Sequence, residues 1–186
     1  MSLFSIQMTP ATFFLDFFAY PIFVLASLVI GYWGVDGRLP WWEAPSLVVM
    51  GFVVWTLVEY LMHRFAFHHM PYVKDLHMAH HRDVNGMIAT PTTISFISLF
   101  LLAYLPMAFL IGGFIACFWF AGMLAGYLAF AAVHYAVHHF SSGGLTSLRK
   151  LKRAHAIHHH GDNQFNFGVT TLFWDRVFGT YSERVR

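Results

Sequence analysis

With 186 residues the chain has the length of one domain. Hydrophobic residues make up 58% and charged residues 11%, against about 45–50% and about 25% in soluble domains, which excludes an ordinary water-soluble domain and indicates a membrane protein. A formal charge of +2 without a basic, aromatic-interleaved repeat excludes a nucleic-acid binder.

A membrane-spanning helix needs about 20 mostly apolar residues. Residues 11–32 are the first such run; Asp16 lies near its start, where an interfacial position is expected, and Pro21 is a candidate kink. The first ten residues hold no Lys or Arg, and no small-residue cleavage site follows, so the run reads as a retained span rather than a signal peptide. Gly and Pro punctuate the connector GVDGRLPWWEAP, whose Trp41 and Trp42 suit a membrane interface. The second span, 46–62, leads without a break into His63. After the polar stretch 63–86, residues 92–133 carry no charged side chain. That length crosses a bilayer twice, so it divides into spans 92–111 and 114–133, with Pro106 and Gly112-Gly113 marking the turn. The lone Cys117 falls inside it and reads as packing, with no disulfide or cysteine-built metal site.

The fourth span leads into His134 as the second leads into His63, so both deliver histidines to the same side. Ten of the 11 Lys and Arg residues, all but Arg38, fall on that side. The positive-inside rule makes it cytoplasmic, with both termini inside. The basic run 149–153 reads as a solvated helix face, with contact to anionic headgroups as the alternative. The expected fold is all-α: one domain over 1–186, an integral membrane bundle of four transmembrane helices with a cytoplasmic histidine-rich helical cap formed by 63–90 and 134–186.

All 13 histidines lie in or beside four boxes. His63 and His68 form the first, His77, His80 and His81 the second, His134 and His138 the third, and His155, His158 and His159 the last. Helical spacing puts the imidazoles of a box on a common face. So many clustered imidazoles without a cation would suffer desolvation and mutual repulsion whenever one protonates. A metal removes that cost, and ten candidates at about four to six ligands per ion suggest two ions. His69, His139 and His160 are extra, either partners of ligating histidines or water-facing. Glu59, one turn before His63, Asp75, two residues before His77, and Asp162, after the last box, are candidates to accept the outer N–H of a ligating histidine; a surface or capping role is the alternative. Imidazole alone does not choose between zinc, copper, iron and nickel. The zinc-protease HExxH and the Glu-x-x-His pairs of soluble di-iron bundles are both absent. Clustering at and beyond the span ends counts against haem.

The segments EYLMHRFAFH, LHMAHH, HYAVHH and RAHAIHH, followed by NFGVTTLFWDRVFGT, resemble the membrane fatty acid hydroxylase and sterol desaturase superfamily of histidine-rich non-haem di-iron oxygenases. The pattern runs from Glu59 to Tyr181 and is most similar to fatty acid 2-hydroxylases. The resemblance implies that His63, His68, His77, His80, His81, His134, His138, His155, His158 and His159 hold two iron ions, with zinc as a replacement on purification. It implies O2-dependent insertion of a hydroxyl group into a lipid acyl C–H. Many relatives carry a fused haem domain as electron donor; the ten residues before the first span leave no room for one, so a separate electron-transfer protein is expected. The implied location is a bacterial inner membrane or the endoplasmic reticulum. In the closing stretch, Gly168 and Gly179 read as turn residues, Trp174 and Phe178 as packing, and Asp175 with Arg176 as a structural pair.

Three alternatives remain at this stage. A lipid or sterol desaturase would use the same site and differ in product mass. A zinc-dependent membrane hydrolase would turn over without oxygen or reductant. A metal-transporting membrane protein would carry ionisable ligands inside its spans rather than at one side.

Overall fold

The computed structural model describes residues 7–141, 143, 145–161 and 163–184. Helix is the only regular secondary structure among them. In chain order the elements are α1 (Pro10–Phe13), α2 (Leu15–Val35), α3 (Glu43–Leu61), the π-helical turn π1 (Met62–Phe67), α4 (Val73–Arg82), α5 (Thr92–Leu99), a second π-turn π2 (Phe100–Tyr104), α6 (Leu105–Ile111), α7 (Gly113–His139), α8 (Thr146–His160) and α9 (Phe173–Val177). Four continuous stretches are long and apolar enough to cross a membrane: Pro10–Val35, Glu43–Phe67, Thr92–Ile111 and Gly113–His139. Each overlaps one of the four expected spans. Gly112, at φ 92, breaks the long apolar run as anticipated; Pro106 instead lies inside the continuous helical stretch Thr92–Ile111, directly after π2, the kind of local hydrogen-bond change that accompanies a residue without an N–H.

Contacts divide the chain into two compact units, one made of Pro10–Trp55 and Thr90–Ala129, the other of Met1–Thr9, Thr56–Ala89 and Phe130–Arg186. In the first unit α3 and α7 approach so closely that side chains are excluded between them. A Cβ on Gly122 would lie 2.1 Å from the Val48 carbonyl oxygen, and one on Gly51 would lie 2.2 Å from that of Trp119. Small residues permit such backbone contact, which in lipid replaces the hydrophobic drive that water would supply. Gly122→Leu is therefore expected to destabilise this unit by about 1–3 kcal/mol, read as a lower thermal midpoint in detergent; an unchanged midpoint would contradict the close approach.

Polar side chains in this unit tie helices together. Ser27 donates to the Cys117 carbonyl at 2.8 Å, and the Tyr20 hydroxyl donates to Ser95 Oγ at 2.8 Å. Asp16, expected at an interface, is buried and accepts a hydrogen bond from the Tyr127 hydroxyl at 2.8 Å, while Tyr20 and Tyr127 stack at 4.3 Å. Pairing inside the helix packing explains how an acid is tolerated so early in an apolar run.

The second unit holds every histidine. α3 passes into π1, α4 follows a turn in which Tyr72 takes a left-handed φ of 67, and α8 and α9 flank the loop that carries Asn166 to Leu172.

Candidate metal centre

His63 and His68 are five residues apart, and on an ideal α-helix that spacing would splay them by about 140°. π1 removes the mismatch, because i→i+5 hydrogen bonding brings such residues back onto one face. Their rings stack, with centroids 5.4 Å apart.

On α4 and α8 the i+3 and i+4 histidines divide rather than share a face. His77 and His81 diverge by only about 40° around α4, whereas His80 and His81 are about 100° apart. The same holds for His155 and His159 against His158 on α8. Each of these helices therefore feeds two clusters. One gathers His63, His68, His77, His81 and His158; the other gathers His80, His134, His138, His155 and His159. The ten expected histidines are thus brought together, five and five, although the four boxes of the sequence do not correspond to the two groups.

Within each group one nitrogen from every imidazole lies within 4.8 Å of all the others. His77 Nε2 stands 3.1 Å from His63 Nε2, 3.1 Å from His68 Nε2 and 2.9 Å from His81 Nε2. In the second group His138 Nε2 stands 3.1 Å from His80 Nε2, 3.1 Å from His134 Nε2 and 2.9 Å from His155 Nε2. One nitrogen carries at most one hydrogen, so three such neighbours cannot all be served by hydrogen bonds. Separations near 3 Å are those of donors about 90° apart around an ion at about 2.1 Å, the usual imidazole–metal distance. His159 adds to this, since both of its ring nitrogens are buried with no hydrogen-bond partner among the described residues. Both groups therefore fit a metal ion, and five imidazoles suit zinc, copper, iron and nickel alike.

Burial drives the imidazoles toward the neutral, lone-pair-bearing form. It lowers His68 and His80 to about 4, and His81 and His158 to about 3, with repulsion from neighbouring histidines adding to the effect. His77, His155 and His159 are lowered further for the same reasons. These groups hold fewer protons when folded than when unfolded, so stability is complete above about pH 6.5 and declines as pH falls toward 4. The thermal midpoint of the metal-free protein is expected to stay flat above pH 7 and fall steadily between 6.5 and 4; a midpoint independent of pH across that window would contradict the burial.

None of the three extra histidines joins a group. His69 is exposed with Nδ1 3.1 Å from the Arg64 carbonyl, His139 is exposed and stacked on Tyr135 at 4.3 Å, and His160 is exposed. Asp75 is exposed on the first turn of α4 and bonds no histidine among the described residues. Asp162 lies outside the described residues. Glu59 is buried but meets no imidazole: Oε1 accepts from the backbone N–H of Val169 at 2.7 Å and of Thr170 at 2.8 Å, and Oε2 accepts from the Thr170 hydroxyl.

The closing stretch does more than the sequence reading gave it. Asp175 does not pair with Arg176; the Arg176 guanidinium lies 4.9 Å from the Tyr181 ring centroid. Fully buried, Asp175 accepts at 2.8 Å from each of Phe167 N–H, Gly168 N–H and the Thr180 hydroxyl. Gly168 is required by proximity, since a Cβ there would lie 2.1 Å from the Thr171 carbonyl oxygen. Trp174 donates to Thr56 Oγ1 at 3.0 Å and Phe178 stacks on Tyr60 at 5.2 Å, which is the packing role expected of them. Backbone carbonyls of this loop face the histidines: Phe167 O accepts from His63 Nδ1, and Phe165 O from His158 Nδ1 at 2.8 Å. The carbonyl acceptors leave no trace in side-chain identity, so the sequence carries no signal for this arrangement.

Residues 48–180 match the sequence profile of the family described as "Fatty acid hydroxylase". The chain belongs to the fatty acid hydroxylase family. It is 36% identical over 152 residues to the ceramide very long chain fatty acid hydroxylase SCS7 of Saccharomyces cerevisiae, covering 73% of this chain and 38% of that protein. It is 34% identical over 151 residues to the fatty acid 2-hydroxylase of Rattus norvegicus, covering 73% of this chain and 39% of that protein. The solved structure described as "Full length scs7p (only hydroxylase domain visible)" superposes with a TM-score of 0.79 at 30% identity, over 92% of this chain and 67% of that one. The chain spans about four tenths of the length of the yeast and rat relatives.

Proposed function

We propose that this member of the fatty acid hydroxylase family is an O2-dependent lipid hydroxylase with two iron ions, one in each five-histidine group. The observation that carries the reading is the gathering of ten histidines into two compact five-imidazole sets in a chain of this family. The proposed ligands are His63, His68, His77, His81 and His158 for one ion, and His80, His134, His138, His155 and His159 for the other. When bound, the pair of ions supplies reduction of O2 and oxidation of an unactivated C–H.

The chain's own residues hold the ligating nitrogens in place and keep them deprotonated at neutral pH, so no proton has to be displaced on loading. Burial of His63, His155 and His158 keeps bulk water from those donor atoms. The substrate is proposed to be a fatty acyl chain presented from the bilayer, hydroxylated next to its carbonyl by likeness to the named relatives, with electrons supplied by a reductant. The histidine-bearing segments, 63–90 and 134–186, are proposed to face the cytoplasm on the charge bias of the sequence.

The test is turnover by the purified, iron-loaded protein under ¹⁸O2 with a chemical or protein reductant and a fatty acyl or ceramide substrate. A product heavier by one ¹⁸O atom is expected. Loss of two hydrogens would make it a desaturase, and turnover without O2 or reductant would make it a hydrolase; either overturns the proposal. Neither Glu59 nor Asp175 is free to serve the hydrolase reading as a base, since their oxygens are occupied by N–H and hydroxyl donors.

A further inference from the structure

The two histidine groups differ in what lies behind them. In the first, the Nδ1–H groups of His63 and His158 are held by the carbonyls of Phe167 and Phe165. A neutral imidazole that donates from Nδ1 must carry its lone pair on Nε2. The Nε2 atoms of these two rings both point into the same group, 3.1 Å from His77 Nε2 and His68 Nε2 respectively. Nδ1 of His81 in the first group, and Nδ1 of His155 and of His159 in the second, are buried with no partner among the described residues.

Those two carbonyls are fixed by a clamp around the loop that bears them. Glu59 grips Val169 and Thr170, and Asp175 grips Phe167, Gly168 and Thr180. Asn166, at a left-handed φ of 57, donates through Nδ2 to the carbonyls of Ala154 and Ser182 and accepts from the Ser182 N–H. Every residue from Asn166 to Thr170 is therefore held by a buried side chain. Glu59 reaches the loop from 110 residues away in sequence, so it also joins the end of α3, which delivers His63, to the loop that orients it.

We propose that Glu59 and Asp175 are positioning residues that act through the 165–170 backbone on one metal position alone, the one formed by His63, His68, His77, His81 and His158. They preset the Nε2 lone pairs of two of its five donors, whereas in the other position the Nδ1 atoms of His155 and His159 have no such acceptor among the described residues. The two positions are accordingly unequal in affinity. This rests on the reading that both groups hold metal.

The test uses Co²⁺ alone as probe, titrated into the detergent-purified, metal-free full chain against a competing chelator and followed by visible absorption. The unmutated chain is expected to bind two equivalents of unequal affinity. His77→Ala and His138→Ala assign each equivalent to its group. Glu59→Met, which fills the space but accepts no hydrogen bond, is expected to weaken the His77-group equivalent about 10–100-fold and leave the other unchanged. Glu59→Gln keeps an oxygen acceptor for both N–H groups and is expected to restore it. Should Glu59→Met fail to fold, Thr170→Val removes only the hydroxyl contact and is expected to produce a smaller loss on the same equivalent. Equal weakening of both equivalents, or no change in either, overturns the proposal. An unmutated chain that takes up no Co²⁺ overturns the metal reading itself and is seen before any variant is made.

Discussion

His77→Ala and His138→Ala are each expected to remove one of the two proposed metal ions and to lower the proposed lipid hydroxylation more than about 100-fold, since losing even an outer partner of a ligand costs about 10–100-fold. These two residues are chosen because each is the hub of its group, its Nε2 lying within 3.1 Å of three other Nε2 atoms. Removing a hub takes away the donor nearest to all the rest. His69→Ala, His139→Ala and His160→Ala provide the contrast. Those side chains are exposed and belong to neither group, so metal content and turnover are expected to stay within about twofold of the unmutated chain, the ordinary range for surface substitutions. Metal analysis and turnover on the same five preparations check both halves. Retention of both ions in His77→Ala would contradict the grouping.

Asp175→Ala is expected to be the most damaging substitution outside the histidines. It would leave the Phe167 and Gly168 N–H groups without their acceptor in a fully buried site, while the Thr180 hydroxyl keeps Tyr60 as a partner. Each orphaned donor costs about 1–3 kcal/mol, so a total loss of about 2 kcal/mol or more is expected. Asp175 also accepts at its own carbonyl from the N–H groups of Thr180 and Tyr181, which folds the tail back after α9. The measurement is the thermal midpoint and folded yield in detergent. A variant as stable as the unmutated chain would show that the loop does not depend on this carboxylate.

Much of this organisation is legible in the residues themselves. Four apolar runs separated by Gly, Pro and polar stretches locate four helices, and the ten box histidines stand out by spacing. What spacing cannot show is how they are shared out. His80 and His81 are adjacent in sequence, yet adjacency on a helix means about 100° of rotation, so they serve different groups. His63 and His68 look misplaced for an α-helix and are brought together only by π1, a local change of hydrogen bonding with no distinct composition. Glu59 was legible as a candidate acceptor for a histidine N–H, one turn before a box, but its partners are backbone N–H groups more than a hundred residues away. Backbone donors and acceptors are identical in every residue type except proline, so contacts of this kind become visible only in the fold. Asp16 illustrates the same limit, since its partner Tyr127 lies 111 residues along the chain.

The central claim is that two five-histidine groups each hold one iron ion. Its most direct test is iron per chain in the detergent-purified protein, measured after anaerobic loading and removal of free metal, beside the His77→Ala and His138→Ala variants and their double mutant. About two ions in the unmutated chain, about one in each single variant and none in the double variant is the predicted result. Less than half an ion per unmutated chain, or a single ion abolished by either substitution, would contradict it.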